Sequence, residues 1–230
     1  MTRKFIILLV RTLFKILMDL EIIGAENIPD DKRLVIVGNH IGTLDAMLVL
    51  AVKKFTSHPN LLLVVAEKHE NNPVYRWAVK HLNFLFIDRF NPDIRTLRKV
   101  IQRMENNGML VIAPEGTRSP TGGLIEGKQG AAYLAAKSGA TLVPITTVGT
   151  KDKNVKAHLK KFKRTKITLR IGKPFEIPIL PNRDRSEFLS KQTEEIMCQI
   201  ASYLPESYRG IYADHPRLKD LLQGQEILSP

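Results

Sequence analysis

His40 and Asp45 are the residues of this sequence whose types and spacing best suit acid–base chemistry. The apolar run 34–37 before the histidine predicts a buried strand, and the apolar run 46–52 after the aspartate predicts a buried helix. A carboxylate at this spacing can accept a hydrogen bond from one imidazole nitrogen and leave the other free to take a proton. The pair is therefore a candidate general base with its orienting carboxylate. The alternative is a loop histidine and a helix-capping aspartate, both structural.

A second polar stretch, Glu115-Gly116-Thr117-Arg118, follows the predicted strand at 109–112. The guanidinium of Arg118 offers a fork of donors that suits a phosphate, and a glycine lets backbone amides approach a ligand closely. The stretch is thus a candidate anion-binding loop, with a plain surface turn as the alternative.

Two weaker candidates would add further cations near that loop. Arg89 follows the apolar run 84–87, although an ion pair with Asp88 at the end of a strand explains it equally well. Lys128 precedes a predicted helix at 130–138 and would place a positive charge near the start of that helix. A solvated lysine is the alternative interpretation of Lys128.

The order of apolar runs predicts the framework that positions these side chains. Buried strands alternate with helices, which indicates an α/β domain with a mixed, mostly parallel sheet flanked by helices. Chemistry in such sheets gathers at the carboxyl ends of strands, and His40, Arg89 and the loop at 115–118 all follow strand runs. The predicted strands are 21–24, 34–37, 61–65, 84–87, 109–112, 142–147 and 167–171, and the predicted helices are 46–54, one opening at 71–73, 91–107, 130–138 and 187–203.

The charge balance favours an anionic partner, because 35 Lys and Arg residues stand against 23 Asp and Glu, a formal net charge of +12. Ten of the basic residues lie between Lys151 and Lys173, where Asp152 is the only acid. An anionic membrane surface, the phosphates of a carrier or coenzyme, and nucleic acid are the candidate partners. Nucleic acid ranks last because Phe162 is the only aromatic residue in this run. A solvated basic face is the alternative.

Residues 1–20 are strongly apolar but interrupted by single charges. On a helical projection Lys4, Arg11, Lys15 and Asp19 fall on one narrow polar stripe. Internal charges argue against a bilayer span, which needs ~20 predominantly apolar residues, and no signal-peptide cleavage pattern is present. We expect a helix in the membrane interface with its basic stripe toward the head groups; a helix packed on the core is the alternative. The predicted organisation is this helix at 1–20, the α/β domain at 21–204 and a tail of unassigned structure at 205–230.

Other catalytic schemes fit the sequence poorly. The one cysteine, Cys198, excludes an internal disulfide and a cysteine-based zinc cluster. It favours an intracellular protein, with a cysteine-poor periplasmic protein as the alternative. The histidines other than His40 lack metal-ligand spacing. The sequence contains no G-x-S-x-G elbow, no Walker A loop and no G-x-G-x-x-G after a strand.

Four short blocks resemble the motifs of the glycerolipid acyltransferase family, of the bacterial 1-acylglycerol-3-phosphate acyltransferase type. Any one block is weakly specific, whereas four in matching order and spacing are highly specific, and they cover most of residues 21–175. The blocks are N-H-x4-D at Asn39, His40 and Asp45, F-I-D-R at 86–89, P-E-G-T-R-S at 114–119 with Ala113 in place of Phe, and V-P-I at 143–145.

The resemblance implies transfer of a fatty acyl chain from acyl-CoA or an acylated carrier protein to the sn-2 hydroxyl of lysophosphatidic acid, which gives phosphatidic acid. His40 would be the general base and Asp45 its orienting carboxylate, without a covalent acyl-enzyme. No metal or tightly bound cofactor is implied. Because the substrate and product are lipids, the enzyme would lie at the cytoplasmic face of the cell membrane as a peripheral or monotopic protein. The residues implied in holding the acceptor's phosphate and glycerol are Arg89, Glu115, Gly116, Thr117, Arg118 and Lys128.

The sequence departs from the family pattern beside two of the motifs. The family often has Ser and an aromatic residue where this chain has Gly42 and Thr43, and often has Gly where this chain has Asn83. The catalytic pair is intact, but the preference for acceptor and acyl chain is left open. Transfer to another lysophospholipid or to an amino-lipid is therefore the alternative activity, and a non-catalytic basic membrane-binding protein is the alternative outside the enzymes.

Overall fold

The computed structural model describes residues 3–30, 33–67, 70–82, 84–88 and 94–224. Its helices are α1 (Arg3–Leu17), α2 (Asp45–Leu48), α3 (Lys53–Ser57), α4 (Pro73–Leu82), α5 (Ile94–Glu105), α6 (Gly130–Ser138), α7 (Asp152–Lys160), α8 (Arg185–Ser202) and α9 (Pro216–Gly224). Its strands are β1 (Met18–Ile23), β2 (Leu34–Gly38), β3 (Leu61–Ala66), β4 (Phe84–Ile87), β5 (Met109–Ile112), β6 (Thr141–Val148) and β7 (Thr165–Ile171).

Within these described ranges the strands form one seven-stranded sheet in the order β1-β7-β6-β2-β5-β3-β4. The five strands from β6 to β4 run parallel to one another. β7 runs antiparallel to β6 and parallel to β1. The predicted fold class, a mixed and mostly parallel α/β sheet flanked by helices, is therefore confirmed. The ends of β2, β5 and β6 lie side by side, and we call this side of the sheet the carboxyl edge.

Apolar clusters hold helices on both faces of the sheet. Leu34 and Ile36 of β2 join a cluster that includes residues of α1 to α4, whereas Val35 and Val37 join a cluster with α5, α6, α8 and α9. All four side chains are fully buried. Burial on both faces explains why the parallel strands are continuous apolar runs rather than alternating patterns.

The N-terminal helix is shorter than predicted. It ends at Leu17, and residues 18–20 belong to β1 because their backbone pairs with β7, with Met18 opposite Thr165. None of the described helices is both long enough and apolar enough to span a bilayer.

The faces of α1 also differ from the predicted polar stripe. Arg11 points into the protein, where its Nε donates to the carbonyl oxygen of Leu50 at 3.0 Å. The helix packs on the core through Ile6, Ile7 and Phe14, and its opposite side exposes a second apolar surface. That surface, the outer face of α1, consists of Phe5, Leu8, Leu9, Leu13, Ile16 and Leu17.

Three further segments depart from the sequence analysis. The predicted helix at 46–54 is broken into α2, a 3-10 turn at Val49–Ala51 and α3. Helix α7 was not predicted, because Val155 is its one buried residue and a single apolar position gives no periodic signal. The tail is folded as far as Gly224, with Tyr212 and Leu218 buried in the cluster that contains α8. The predicted start of α5 at 91–93 lies outside the described residues.

Candidate active site

His40 and Asp45 meet just beyond the carboxyl end of β2. His40 Nδ1 lies 3.1 Å from Asp45 Oδ2, and that oxygen also accepts the backbone N–H groups of Ile41 at 2.6 Å and Gly42 at 2.8 Å. The imidazole is 25% exposed and the carboxylate 6%. A carboxylate with three donors on one oxygen favours the tautomer with the proton on Nδ1, so Nε2 is the nitrogen available to take a proton.

The other carboxylate oxygen of Asp45 is held from the neighbouring strand β6. Thr147 Oγ1 donates to Asp45 Oδ1 at 3.0 Å. The side-chain amide of Asn39 pairs with the backbone of Thr147, donating to its carbonyl oxygen at 2.9 Å and accepting its N–H at 2.8 Å. Thr147 carried no sequence signal, because it is separated from Asp45 by 102 positions and belongs to no motif. Asn39 did carry a signal as the first residue of the N-H-x4-D block.

Glu115 braces the backbone of His40 rather than facing outward. Its Oε1 accepts the N–H of His40 at 2.8 Å and its Oε2 accepts the N–H of Ile125 at 3.1 Å. The carbonyl oxygen of His40 in turn accepts the N–H of Ser119 at 2.8 Å. The loop after β5 thus fixes the position of the histidine on both sides. The implied contact of Glu115 with an acceptor stays a prediction.

Burial raises the pKa of Glu115 to about 7 from its ordinary value of 4.5. The N–H groups of His40 and Ile125 act in the opposite direction, because they stabilise the ionised carboxylate, but they do not outweigh its loss of water. The charges of His40 and Asp45 make smaller contributions of opposite sign. A carboxyl group that changes its charge near pH 7 therefore supports the backbone of the candidate base.

Arg118 forms a polar cluster with Thr43 and Asp152 at the exposed side of the site. Its Nη1 donates to Asp152 Oδ2 at 2.7 Å and to Thr43 Oγ1 at 3.0 Å, while Asp152 Oδ1 accepts the N–H of Thr43 at 2.8 Å. Partial burial opposes ionisation of Asp152, but the bonds from Thr43 and the charges of Arg118 and Lys156 outweigh it and lower the pKa of this carboxyl. Asp152 carried no sequence signal beyond being the one acid of the basic run.

The structure explains both departures from the first family block. A Cβ atom at Gly42 would lie 1.9 Å from the carbonyl oxygen of Thr150, so the loop after β6 approaches too closely for any side chain at this position. Thr43 supplies the hydroxyl and the N–H that bind Asp152. The two residues therefore join the loop of the candidate base to the start of α7.

Those of the remaining predicted ligands that the structure describes lie in the same region. Gly116 has a left-handed φ of 67°, and its vacant Cβ position is 3.7 Å from Lys128 Cγ, so the lysine stem passes over this turn. The N–H of Lys128 donates to the carbonyl oxygen of Pro114 at 2.8 Å. Thr117 is exposed on the loop. Arg89 and Asn83 lie outside the described residues.

The arrangement can accept a proton from a hydroxyl group placed beside His40 Nε2. Asp45 would stabilise the resulting imidazolium, and Arg118 and Lys128 supply cations on the segments that follow β5. Among the described residues, no group of three or more His, Cys, Asp or Glu side chains is arranged to hold a metal ion.

The chain resembles several known proteins in sequence and in structure. It is 32% identical over 136 residues to the chloroplastic 1-acyl-sn-glycerol-3-phosphate acyltransferase BAT2 of Brassica napus, a match covering 56% of this chain and 37% of that protein. It is 26% identical over 136 residues to the 1-acyl-sn-glycerol-3-phosphate acyltransferase of Borreliella burgdorferi, a match covering 56% of this chain and 51% of that protein. The crystal structure of the 1-acyl-sn-glycerophosphate (LPA) acyltransferase PlsC from Thermotoga maritima superposes with a TM-score of 0.59 at 25% identity, covering 84% of this chain and 78% of that one.

The matched region spans about a third to a half of the length of these two curated relatives. The family model described as Acyltransferase matches residues 19–148, which include β2 to β6, all of β1 except Met18, and both residues of the His40–Asp45 pair. That range is more than half of the 230 residues, and of the site residues described above only Thr150, Asp152 and Lys156 lie outside it. The chain therefore belongs to the acyltransferase family.

Proposed function

We propose that the chain is a 1-acylglycerol-3-phosphate O-acyltransferase that forms phosphatidic acid from lysophosphatidic acid and an acyl thioester. The observation that carries the proposal is the His40–Asp45 pair, with Nδ1 held at 3.1 Å from the carboxylate and Nε2 left to act as a base. The names of its relatives support the choice of acceptor, because the plant, bacterial and Thermotoga proteins are all described as acting on 1-acylglycerol phosphates.

The proposed reaction needs one proton acceptor and no covalent intermediate. His40 Nε2 takes the proton of the sn-2 hydroxyl as that oxygen attacks the thioester carbonyl. The carbon–oxygen bond forms, the carbon–sulfur bond breaks, and the imidazolium returns its proton to the leaving thiolate. Asp45 holds the imidazole in place and stabilises its charge during the transfer. We propose no cofactor besides the acyl-CoA or acylated carrier protein that supplies the acyl group.

A thiol-release assay against a panel of lysolipids tests this function directly. Acyl-CoA and acylated carrier protein are offered in turn, with lysophosphatidic acid, other lysophospholipids and an amino-lipid as acceptors. Thiol release that depends on lysophosphatidic acid supports the proposal. Release with a different acceptor alone would reassign the substrate, and no release with any acceptor would leave a non-catalytic membrane-binding protein.

We propose that Arg118 binds the acceptor's phosphate, and Arg118→Ala is expected to raise the KM for lysophosphatidic acid about tenfold or more. A charge-assisted hydrogen bond contributes ~1.5–3 kcal/mol, which corresponds to that range. The KM for the acyl donor should change much less, as initial-rate kinetics with each substrate varied will show.

The ion pair between Arg118 and Asp152 provides the control for this variant. Asp152→Asn removes the charge that Arg118 faces in the structure but keeps the guanidinium. If Asp152→Asn raises the acceptor KM as much as Arg118→Ala does, the effect comes from the lost ion pair. Equal changes in the KM of donor and acceptor would also contradict a phosphate-binding role.

We further propose that the chain lies on the membrane surface through the outer face of α1. Six large apolar side chains are exposed on that face, while the opposite side of the helix is buried in the core. Lys4 and Lys15 are exposed beside them. An amphipathic helix of this kind lies in the interface with its apolar face in the acyl region. We propose, accordingly, a peripheral or monotopic location at the cytoplasmic face of the membrane, where the lipid substrate would be reached.

The variant Phe5→Gln/Leu9→Gln/Ile16→Gln is expected to stop floating with anionic vesicles while its thermal stability is unchanged. All three side chains are exposed, so their loss costs the fold little. Deleting the helix is a poorer test, because Ile6, Ile7 and Phe14 belong to the core. Ile6→Ala is the matched control: it should lower the melting temperature and leave flotation of the folded protein intact. Flotation of the triple variant with wild-type affinity would contradict the proposal.

A further inference from the structure

Phe162 is the most exposed large apolar side chain of the described chain, with a relative exposure of 100%. It follows the last turn of α7, where its own N–H donates to Leu159 and the next N–H, that of Lys163, donates to His158. This pair of bonds is the Schellman motif, and Phe162 occupies the left-handed position of that motif with a φ of 52°. Glycine or asparagine is the usual residue at that position.

A phenylalanine is doubly unfavourable at this position in water. A left-handed backbone is costly for a residue with a Cβ atom, and a fully exposed aromatic ring gains nothing from burial in this chain. Neither the fold nor the His40–Asp45 site uses this side chain. Its chemistry therefore points to an apolar environment outside the protein.

Basic side chains surround Phe162. Lys153, Lys156 and Lys160 are spaced by three and four residues, so they share one side of α7, and all three are exposed. Lys161, Lys163, Arg164 and Lys166 are also exposed around the turn that follows. Residues 151–173 hold ten basic residues and one acid, a net charge of +9 out of +12 for the chain. The single acid, Asp152, is already bound by Arg118. We call α7 and the turn at 161–164 the basic aromatic surface.

The basic aromatic surface lies at the carboxyl edge and projects beyond it. Val148, the last residue of β6, pairs with Thr168, whereas β7 begins at Thr165. Three residues of β7 therefore extend past the end of β6, which corresponds to roughly 10 Å. The turn that carries Phe162 directly precedes Thr165 and so adjoins the part of β7 that extends past β6.

The same surface connects the outer face of α1 with the candidate active site. Arg164 Nε donates at 3.0 Å to the carbonyl oxygen of Met18, the residue that follows α1. At its other end α7 starts at Asp152, which binds Thr43 beside His40. The helix has nine residues and is therefore ~13 Å long. The end of α1, the exposed phenylalanine and the candidate active site thus follow one another along one edge of the molecule.

We propose that the basic aromatic surface is a second membrane-binding element, in which Phe162 inserts into an anionic bilayer while the lysines around it contact lipid head groups. The inference rests on the proposed membrane association of the chain and adds the surface that orients it. Insertion gives the exposed ring an apolar environment, and the lysines add an attraction to anionic lipid at each position. Together with α1 it supplies the two signals that stable anchoring requires, and it turns the carboxyl edge toward the lipid that holds the acceptor.

Phe162→Gly separates membrane binding from folding. Glycine removes the strain of the left-handed position, so the melting temperature should stay the same or rise. Binding to sedimented vesicles of phosphatidylglycerol and phosphatidylcholine should weaken about tenfold, the order expected for one large apolar side chain. Ile179→Ala is the matched control, because Ile179 is also exposed but lies beside Leu180, which binds the end of α6 at the opposite edge of the sheet. That variant should bind vesicles as the wild type does.

The charges around Phe162 are tested with two double variants that lower the net charge by the same amount. Lys161→Gln/Lys163→Gln should lower binding to the anionic vesicles by roughly 25-fold, since each lysine near the surface contributes about fivefold. Lys137→Gln/Lys191→Gln removes the same charge from α6 and α8 and should have a much smaller effect. Equal losses in both double variants would mean that net charge alone drives binding and would overturn the proposal.

Insertion itself is measured by fluorescence quenching. In a Trp77→Phe background, Phe162→Trp carries the single tryptophan, and vesicles made with lipids brominated on their acyl chains should quench its emission. Ile179→Trp in the same background should not be quenched. Quenching of both tryptophans or of neither would overturn the proposal. None of these readouts needs acyl transfer, so they fail or succeed independently of the proposed activity.

Discussion

His40→Ala is expected to lower the rate of acyl transfer by about 10³- to 10⁴-fold, the largest effect of any substitution in the chain. The reason is that His40 Nε2 is the group placed to accept the hydroxyl proton, with Nδ1 engaged by Asp45. The variant should keep its fold, because the contacts that fix the loop use the backbone of His40 and not its ring. Turnover measured by thiol release, with circular dichroism and vesicle flotation on the same samples, provides the test.

Two threonine variants of β6 test whether acyl transfer depends on the support that Asp45 receives. Thr147→Val removes the hydroxyl that donates to Asp45 Oδ1 at 3.0 Å and should lower kcat several-fold. Thr146→Val is its matched control, since the neighbouring hydroxyl is equally buried but faces the carbonyl oxygen of Tyr203 on the other side of the sheet. Wild-type turnover in His40→Ala would exclude the base mechanism. Equal kcat values for the two threonine variants would mean that the hydroxyl of Thr147 does not contribute to turnover.

The contact between His40 and Asp45 could be predicted from sequence because its geometry is local. His40 and Asp45 lie on one strand-to-helix loop, so their spacing along the chain fixes their spacing in space. The strands could be predicted for the same reason, because burial on both faces makes each of them a continuous apolar run that is recognisable by itself. The resemblance to the family then supplied the order of the four blocks.

Features that depend on partners far along the chain could not be predicted. The bond from Thr147 to Asp45 requires that β6 and β2 be neighbours, which no single stretch reveals. Arg11 lies on a polar stripe in projection, yet it turns inward because the carbonyl oxygen of Leu50 offers it a partner. Gly42 had no evident role until the carbonyl oxygen of Thr150 was placed against it.

The contacts of Glu115 could not be predicted either, although this residue lies inside a motif. Its motif position implies a ligand of the acceptor, whereas both of its oxygens accept backbone N–H groups of the protein. Glu115→Gln is therefore expected to lower kcat about 10- to 100-fold by shifting His40, because its NH₂ group would oppose one of the two N–H donors. The acceptor KM should change little. If Glu115→Gln instead raised only the KM for the acceptor, Glu115 would be a ligand of the acceptor.

The charge of Glu115 also predicts opposite effects of pH on stability and activity. Its pKa is about 7 in the folded chain, against an ordinary value of 4.5, so the folded state binds more protons between these values. Its contribution to the free energy of unfolding, up to about 3 kcal/mol, is therefore fully present below pH 4.5 and lost as the pH rises to 7.

Activity should move in the other direction, because only the ionised carboxylate can accept both N–H groups that position His40. Urea unfolding of the wild type and of Glu115→Gln at several pH values between 4.5 and 8 measures the first effect. The unfolding free energy of the wild type, relative to that of Glu115→Gln, should fall as the pH rises and should level off above pH 7. A difference that stays constant across this window would mean that Glu115 is ionised throughout, and the hydrogen bond by which it positions His40 would then be insensitive to pH.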